Sequence, residues 1–212
     1  MKTLLLLTLT LLSSHAHALR PLRMQDFAVS PPPRAGSAEE QRDFRLLRGH
    51  VQTRTARDCA LGDRYNHGPG VFTVSNLFGD LLSPTELRFS ETLLTEALYA
   101  SNSLANSFKR KHARPYPFEH EGITSCVGDG KGDGSYPSGH ATVGMTIGCL
   151  AAELFPRKAE KLLERGKFLG DIRVVIGRHF PSDVEEGQRL GLQACHAIQQ
   201  DPEFREALKA LR

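Results

Sequence analysis

Three short polar segments stand far apart in this chain, and a fold that uses them together has to bring its helix ends to one place. Arg114-Pro115 closes a long helical pattern, and Pro137-Ser138-Gly139-His140 opens another. Arg173, His179 and Asp183 follow in the arrangement R-x5-H-x3-D, across the boundary between two further helical patterns. None of the three segments lies in the middle of a helix.

The helices are legible from their boundaries. Ser37 and Glu40 make a capping box, in which the hydroxyl and the acid satisfy free backbone N–H groups. A helix is expected from there to about Asp58. Ser83, Pro84 and Glu86 give a second start, with a cap, a first-position proline and a third-position acid. Its apolar series Leu94, Leu98, Leu104 and Phe108 leads toward Arg114, where Pro115 ends it. Further helices are expected over 139–154, 157–176, 182–199 and 203–212, with Gly177 as a break. Gly62 to Gly70 is turn-rich, and Val71 to Leu82 is short and apolar. The glycine-rich stretch Asp129 to Gly134 reads as a surface loop. Lys131 on a ligand position and His140 in place of the closing glutamate argue against a calcium loop. There is no alternating strand pattern and no repeat. The expectation is an all-α, single-domain helical bundle over 37–212, its active site formed by helix ends and loops. Residues 19–36 are read as an extended, proline-rich N-terminal segment.

Residues 1–18 have the form of a signal peptide: Lys2, an apolar run from Leu4 to Leu12, and Ala16-His17-Ala18 as an A-x-A cleavage site. That run is too short to span a bilayer, and no later segment is long and apolar enough. A periplasmic or secreted location is expected, without stable membrane insertion. With 27 Lys and Arg against 24 Asp and Glu, charge gives no support to a nucleic-acid surface. The expected partners are small molecules, and homo-oligomerisation is compatible with the sequence. An even cysteine count in an exported chain favours two disulfides. Three pairings are open. The expected one joins Cys149 to Cys195, both in apolar helical stretches, and leaves Cys59 with Cys126. No C-x2-C pair is present to suggest zinc, and neither a metal nor a cofactor is expected.

The polar segments suit one kind of chemistry. Guanidinium forks such as those of Arg114 and Arg173 grip a tetrahedral oxyanion with paired, charge-assisted hydrogen bonds. Ser138 can add a hydroxyl, and Gly139 lets backbone approach closely at the start of a helix. His179 and Asp183, four apart, share a helix face. A carboxylate on one imidazole nitrogen fixes the tautomer and leaves the other nitrogen free to attack. His140, from a different segment, can then protonate a leaving oxygen.

These segments resemble the signature of the type 2 phosphatidic acid phosphatase superfamily: K-x6-R-P, P-S-G-H and S-R-x5-H-x3-D. Within it the chain is most similar to secreted bacterial class A acid phosphatases, a subgroup that Pro31-Pro32-Pro33, Gly36-Ser37 and Arg54-Thr55 also resemble. The resemblance implies hydrolysis of phosphate monoesters with His179 as nucleophile, Asp183 as its orienting acid and His140 as proton donor. It implies phosphate binding by Arg114, Arg173, Ser138 and Gly139. Two positions depart from the pattern. Ser107 stands where the lysine belongs, and Ile172 stands where a serine precedes the arginine. Lys111, one helical turn after Ser107, is expected to supply the missing charge, with Ser107 as a further phosphate contact. Lys109, about 200° around the helix from Ser107, is expected to face elsewhere. Other readings are a lipid-phosphate or isoprenyl-diphosphate phosphatase, a vanadium-dependent haloperoxidase, and an exported phosphate-binding protein without turnover.

Overall fold

The computed structural model describes residues 19–66 and 72–210; the signal-peptide reading of 1–18 falls outside them. Among the described residues there are eight α-helices and no strand. They are α1 (Ala38–Thr53), α2 (Ala56–Arg64), α3 (Val74–Phe78), α4 (Pro84–His112), α5 (Gly139–Leu154), α6 (Ala159–Val175), α7 (Pro181–Gln199) and α8 (Pro202–Ala210). The fold is all-α.

Helix α5 packs mainly on α6 and α7, and on α4 at a third side. Small residues make this possible. A Cβ added at Gly144 would sit 2.4 Å from the carbonyl oxygen of Gly166, and one at Gly166 would sit 2.5 Å from that of Gly144. The backbones of α5 and α6 therefore touch where only glycine leaves room. Around this contact Leu94, Leu98, Ile147, Leu150, Leu162 and Leu169 are buried, and each such side chain contributes about 1.5–3 kcal/mol. Cys149–Cys195 joins α5 to α7, and Cys59–Cys126 joins α2 to the loop that follows Pro117–Glu119. This is the expected pairing.

Two boundaries differ from the sequence reading. The helix expected from Ser37 to Asp58 is two helices. Thr55 forms its own capping box with Asp58: the Asp58 N–H donates to Thr55 Oγ1 at 3.2 Å, and the Thr55 N–H donates to Asp58 Oδ2 at 2.8 Å. Arg54 is extended between them and donates to the carbonyl and hydroxyl of Thr124 at 3.0 and 3.1 Å. Gly62, expected in a turn, is helical within α2 and lies against Ile176. Farther along, the short apolar stretch 71–82 contains α3.

Residues 19–36 run along the bundle with one 3-10 turn, Met24–Asp26. Ala28 exchanges hydrogen bonds with the Gln193 side chain on α7, at 3.1 and 2.9 Å. The Ser30 N–H donates to Glu186 at 2.9 Å. Leu22, Phe27 and Val29 pack against Leu104, Phe108, Leu190 and Ala194.

Gly144→Val is expected to destabilise the fold by about 3 kcal/mol or more, because rigid backbone blocks the added atoms. Gly49→Ala, on α1 with nothing within 4 Å of an added Cβ, is expected to stabilise by roughly 0.4–1 kcal/mol. Urea unfolding of the two variants measures both.

Candidate active site

The site begins with a buried carboxylate. Asp183 lies in the first turn of α7, and its Oδ2 accepts from the Phe180 N–H at 2.9 Å, which caps the helix. The same oxygen faces His179 Nδ1 at 3.4 Å. Its other oxygen accepts from Arg114 at 2.6 Å. The turn carrying His179 is held by α6: the N–H groups of Arg178 and His179 both donate to the carbonyl of Arg173, at 2.9 and 3.2 Å. Gly177 makes that turn at φ +78°, with the Thr124 carbonyl 2.4 Å from where a Cβ would be. Ser138 caps α5, and its N–H donates to the carbonyl of Asp183 at 2.8 Å. The second and third polar segments are thus joined through their backbones.

A cavity of about 350 Å³ opens above these groups, lined by Lys109, Gly139, His140, Arg173, Arg178 and His179, with Asn66, Phe72, Asn102, Asn106 and Tyr116. Arg173 is buried and donates to Asn66 at 2.6 Å through Nη2. Its Nε and Nη1, and Nε of Arg178, have no acceptor among the described residues. Arg178 donates to the carbonyls of Gly128, at 2.6 Å, and Gly130, so it fastens the glycine-rich loop beside the site. Lys109 Nζ donates to the carbonyl of Gly134 at 2.5 Å and lies 5.6 Å from the centre of the Tyr116 ring. His140 Nε2 is 2.7 Å from the carbonyl of Tyr65. That nitrogen therefore carries a proton, and Nδ1 is left to exchange one. Phe72 meets the His140 ring edge-on at 4.9 Å.

Burial and charge set the protonation states. Burial pushes His179 down to about 3; the Asp183 contact opposes the shift, and Lys109 and Arg173 add to it. Burial, followed by the charge of Arg173, holds His140 well below the ordinary imidazole value. Burial pushes Lys109 down to about 8, with Arg173 and Arg178 repelling its charge and Asp183 supporting it. Burial and Arg178 bring Arg173 down to about 9, still protonated at neutral pH. For Asp183, burial raises the pKa, but His179, Arg114 and the Phe180 N–H outweigh it and keep the carboxyl ionised. At neutral pH the cavity wall therefore holds two neutral imidazoles beside three cations.

Of the residues singled out from sequence, Arg173, Gly139, His140 and His179 line the cavity, and Asp183 backs His179. Ser138 is fully buried, its Oγ accepting from the Ala141 N–H at 3.4 Å. Arg114 is placed differently from the phosphate contact that the resemblance implies. It lies behind Asp183, also donating to Ser182 Oγ at 2.8 Å and Asp43 at 2.8 Å. Ser107 and Lys111 are absent from the cavity wall. Ser107 Oγ donates to the carbonyl of Ser103 at 3.1 Å, and Lys111 is exposed. The reason is helical phase. Asn102, Asn106 and Lys109, at i, i+4 and i+7, form the stripe of α4 that faces the cavity, and positions 107 and 111 point away from it. This stripe was available in the sequence as a signal. So was Arg178, a cation directly preceding His179. Asp43 and Tyr116 carried no such signal.

Fold and site together define a helical protein whose cavity sets a carboxylate-backed histidine among Lys109, Arg173 and Arg178. Residues 91–205 match the PAP2 superfamily, and the chain belongs to that superfamily. It is 30% identical to a non-specific acid phosphatase of Providencia stuartii over 85% of this chain and 76% of that one. It is also 30% identical to an acid phosphatase of Zymomonas mobilis, over 87% and 72% of the two chains. A lipid A 1-phosphatase of Rhizobium etli is 38% identical over 43% of this chain and 41% of its own. In fold the chain is similar to the transmembrane PAP2 type phosphatidylglycerolphosphate phosphatase of Bacillus subtilis, with a TM-score of 0.62 and 18% identity over 84% and 91% of the chains. The protein is a phosphoric monoester hydrolase of this superfamily.

Both site histidines have lowered pKa values in the folded chain. As pH falls from about 6.5, the unfolded chain gains protons first, so these residues withdraw stability on acidification. Neither imidazole is expected to titrate at the ordinary value of about 6.5 in the free protein. Histidine-selective NMR checks this, and a transition near 6.5 at either residue would contradict it.

Proposed function

We propose that the protein is an exported acid phosphatase that hydrolyses small phosphate monoesters through a phosphohistidine, without a metal. The observation that carries this reading is the buried Arg173 in the cavity wall beside His179, whose Nε and Nη1 have no acceptor among the described residues. Buried donors without acceptors cost about 1–3 kcal/mol each, and a phosphate seated between Arg173, Lys109 and Arg178 would remove that cost. Gly139, at the start of α5, leaves backbone open to the same anion.

In the first step His179 Nε2 attacks phosphorus in line. The N–P bond forms as the ester P–O bond breaks, and His140 gives a proton to the leaving oxygen. Asp183 stabilises the imidazolium of the phosphohistidine through Nδ1–H. In the second step water attacks phosphorus while His140 takes its proton, and the N–P bond breaks to release phosphate. Lys109, Arg173 and Arg178 stabilise charge on the equatorial oxygens throughout. These cations supply the positive charge that a metal supplies in other phosphatases. Among the described residues no group of three or more His, Cys, Asp or Glu is placed to hold an ion.

Export is supported by the signal-peptide pattern of residues 1–18 and by two disulfides, which persist in oxidising compartments. Small, soluble esters are supported by the cavity size and by the acid phosphatase relatives. The lipid A 1-phosphatase match favours a lipid phosphate as second reading, although no described helix is long and apolar enough to cross a membrane. A panel of nucleotides, sugar phosphates and a phosphatidic acid separates the two.

Purified protein is expected to hydrolyse p-nitrophenyl phosphate in EDTA and to yield an acid-labile phosphoenzyme on rapid quenching. His179→Ala is expected to fold and to lose both. Sustained turnover by the folded variant, or loss of wild-type activity that metal restores, would refute the mechanism.

Lys109→Met is expected to lower kcat/KM roughly 10- to 150-fold, the effect of one charge-assisted contact of about 1.5–3 kcal/mol. Lys111→Ala is expected to change it less than about twofold. Because the Lys109 ammonium loses its proton above about pH 8, competitive inhibition by phosphate is expected to weaken above that pH. The same inhibition in Lys109→Met is expected to be weak and to lack the fall near pH 8, leaving only a later loss as Arg173, at about 9, gives up its proton. Inhibition constants measured from pH 6 to 10 check both.

A further inference from the structure

We propose that Asp43 is a positioning residue for His179, acting through Arg114 and Asp183, and that Arg114 belongs to this clamp rather than to the phosphate cradle. The proposal rests on the phosphohistidine reading above.

Asp43 lies on α1, far in sequence from the three polar segments, and is fully buried. A carboxylate so placed has to be paired. Its Oδ2 accepts from Arg114 Nη2 at 2.8 Å and from the Ser182 hydroxyl, and its Oδ1 accepts from the Ser182 N–H at 2.9 Å. The other arm of Arg114, Nη1, donates to Asp183 Oδ1 at 2.6 Å. Phe180 covers the guanidinium face at 4.1 Å. One planar fork thus spans two buried carboxylates, and the second of them holds His179.

The arrangement has two consequences. Geometrically, binding Oδ1 of Asp183 to Arg114 fixes the carboxylate so that Oδ2 faces His179. Electrostatically, Arg114 alone would neutralise Asp183 and leave nothing for an imidazolium. Asp43 restores one net negative charge to the cluster, and phosphorylated His179 then brings it to neutrality. The clamp therefore favours the charge that forms on His179 during attack. Arg114 has both arms engaged and is absent from the cavity wall, whereas Lys109, Arg173 and Arg178 line it.

A cradle residue and a clamp residue leave different kinetic marks. Loss of a cradle residue weakens phosphate binding; loss of the clamp lowers kcat and leaves binding intact. Asp43→Asn and Arg114→Lys are the variants of choice. Lysine keeps the charge but cannot fork between two carboxylates. In both, kcat for p-nitrophenyl phosphate is expected to fall roughly 10- to 100-fold, with the inhibition constant of inorganic phosphate within about threefold of wild type. Should Asp43→Asn fail to fold, Arg114→Lys decides alone. Unchanged kcat in a folded variant overturns the proposal. So does a phosphate inhibition constant that rises in proportion to the loss in kcat, which would make Arg114 a ligand. Lack of turnover or of a phosphoenzyme in wild type would instead defeat the function reading.

Discussion

Asp183 is a full negative charge sealed away from water, and such a charge costs several kcal/mol unless it is paired and hydrogen-bonded. Its partners come from different parts of the chain. The Phe180 N–H begins α7, His179 ends the turn after α6, and Arg114 follows α4. Satisfying one carboxylate therefore fixes three helix ends relative to one another. The start of α5 joins them through the bond from the Ser138 N–H to the Asp183 carbonyl. Close packing permits that approach: a Cβ at Gly187 would lie 2.6 Å from the Ser138 carbonyl oxygen. The orientation of His179 follows from this convergence.

The cavity side has the opposite problem. Lys109, Arg173 and Arg178 are each at least nine-tenths buried, and they repel one another. Burial lowers the pKa of all three, and neighbouring guanidinium charge adds to the shift at Lys109 and Arg173. The ring of Tyr116 lies beside two of them, with Lys109 Nζ at 5.6 Å and the Arg178 guanidinium at 5.5 Å from its centre. A π face offers a cation some relief at little desolvation cost. The remaining cost is borne by the core, where glycine contacts bring α5 against α6 and a disulfide ties α5 to α7. Binding sites are often less stable than the scaffold that carries them, and here the destabilising charge is the one suited to an anion.

The sequence was most legible where one residue type does one job at a fixed offset. Ser83, Pro84 and Glu86 announced α4, and its end before Pro115 followed from proline sterics. The segments around His140 and His179 pointed to residues that do line the cavity, because each motif keeps its polar neighbours close in sequence. Reading failed where phase or long-range pairing decides. Lys109 and Lys111 are the same residue type two positions apart, and only the rotation of α4 about its axis tells which enters the cavity. That rotation is set by Leu94, Leu98 and Phe108 packing into the core, and the stripe Asn102, Asn106, Lys109 is its polar counterpart. Asp43 was invisible because its partners, Arg114 and Ser182, are distant in sequence, and an acid in the second turn of a helix is ordinarily a solvated one. The break at Arg54 was missed because a run of helix-compatible residues hides a capping box at Thr55 and Asp58.

The two site histidines, His179 buried and His140 half-buried, are both neutral at neutral pH, yet the proposed steps ask opposite things of them. Their hydrogen-bond partners make the difference. His179 has a carboxylate on Nδ1, which supports a positive charge once the ring has been phosphorylated. His140 has the neutral carbonyl of Tyr65 on Nε2, which supports a protonated ring but is outweighed by burial and the charge of Arg173. The proton it donates can arrive with the substrate. A phosphate monoester has a second pKa of about 6, and below that it enters the cavity as a monoanion carrying a proton. The cations favour the dianion, so transfer of that proton to His140 leaves the phosphate better matched to the cradle and the acid charged beside the leaving oxygen. On this account activity at acidic pH reflects the protonation of the substrate as it binds, rather than a histidine that is already charged in the free protein.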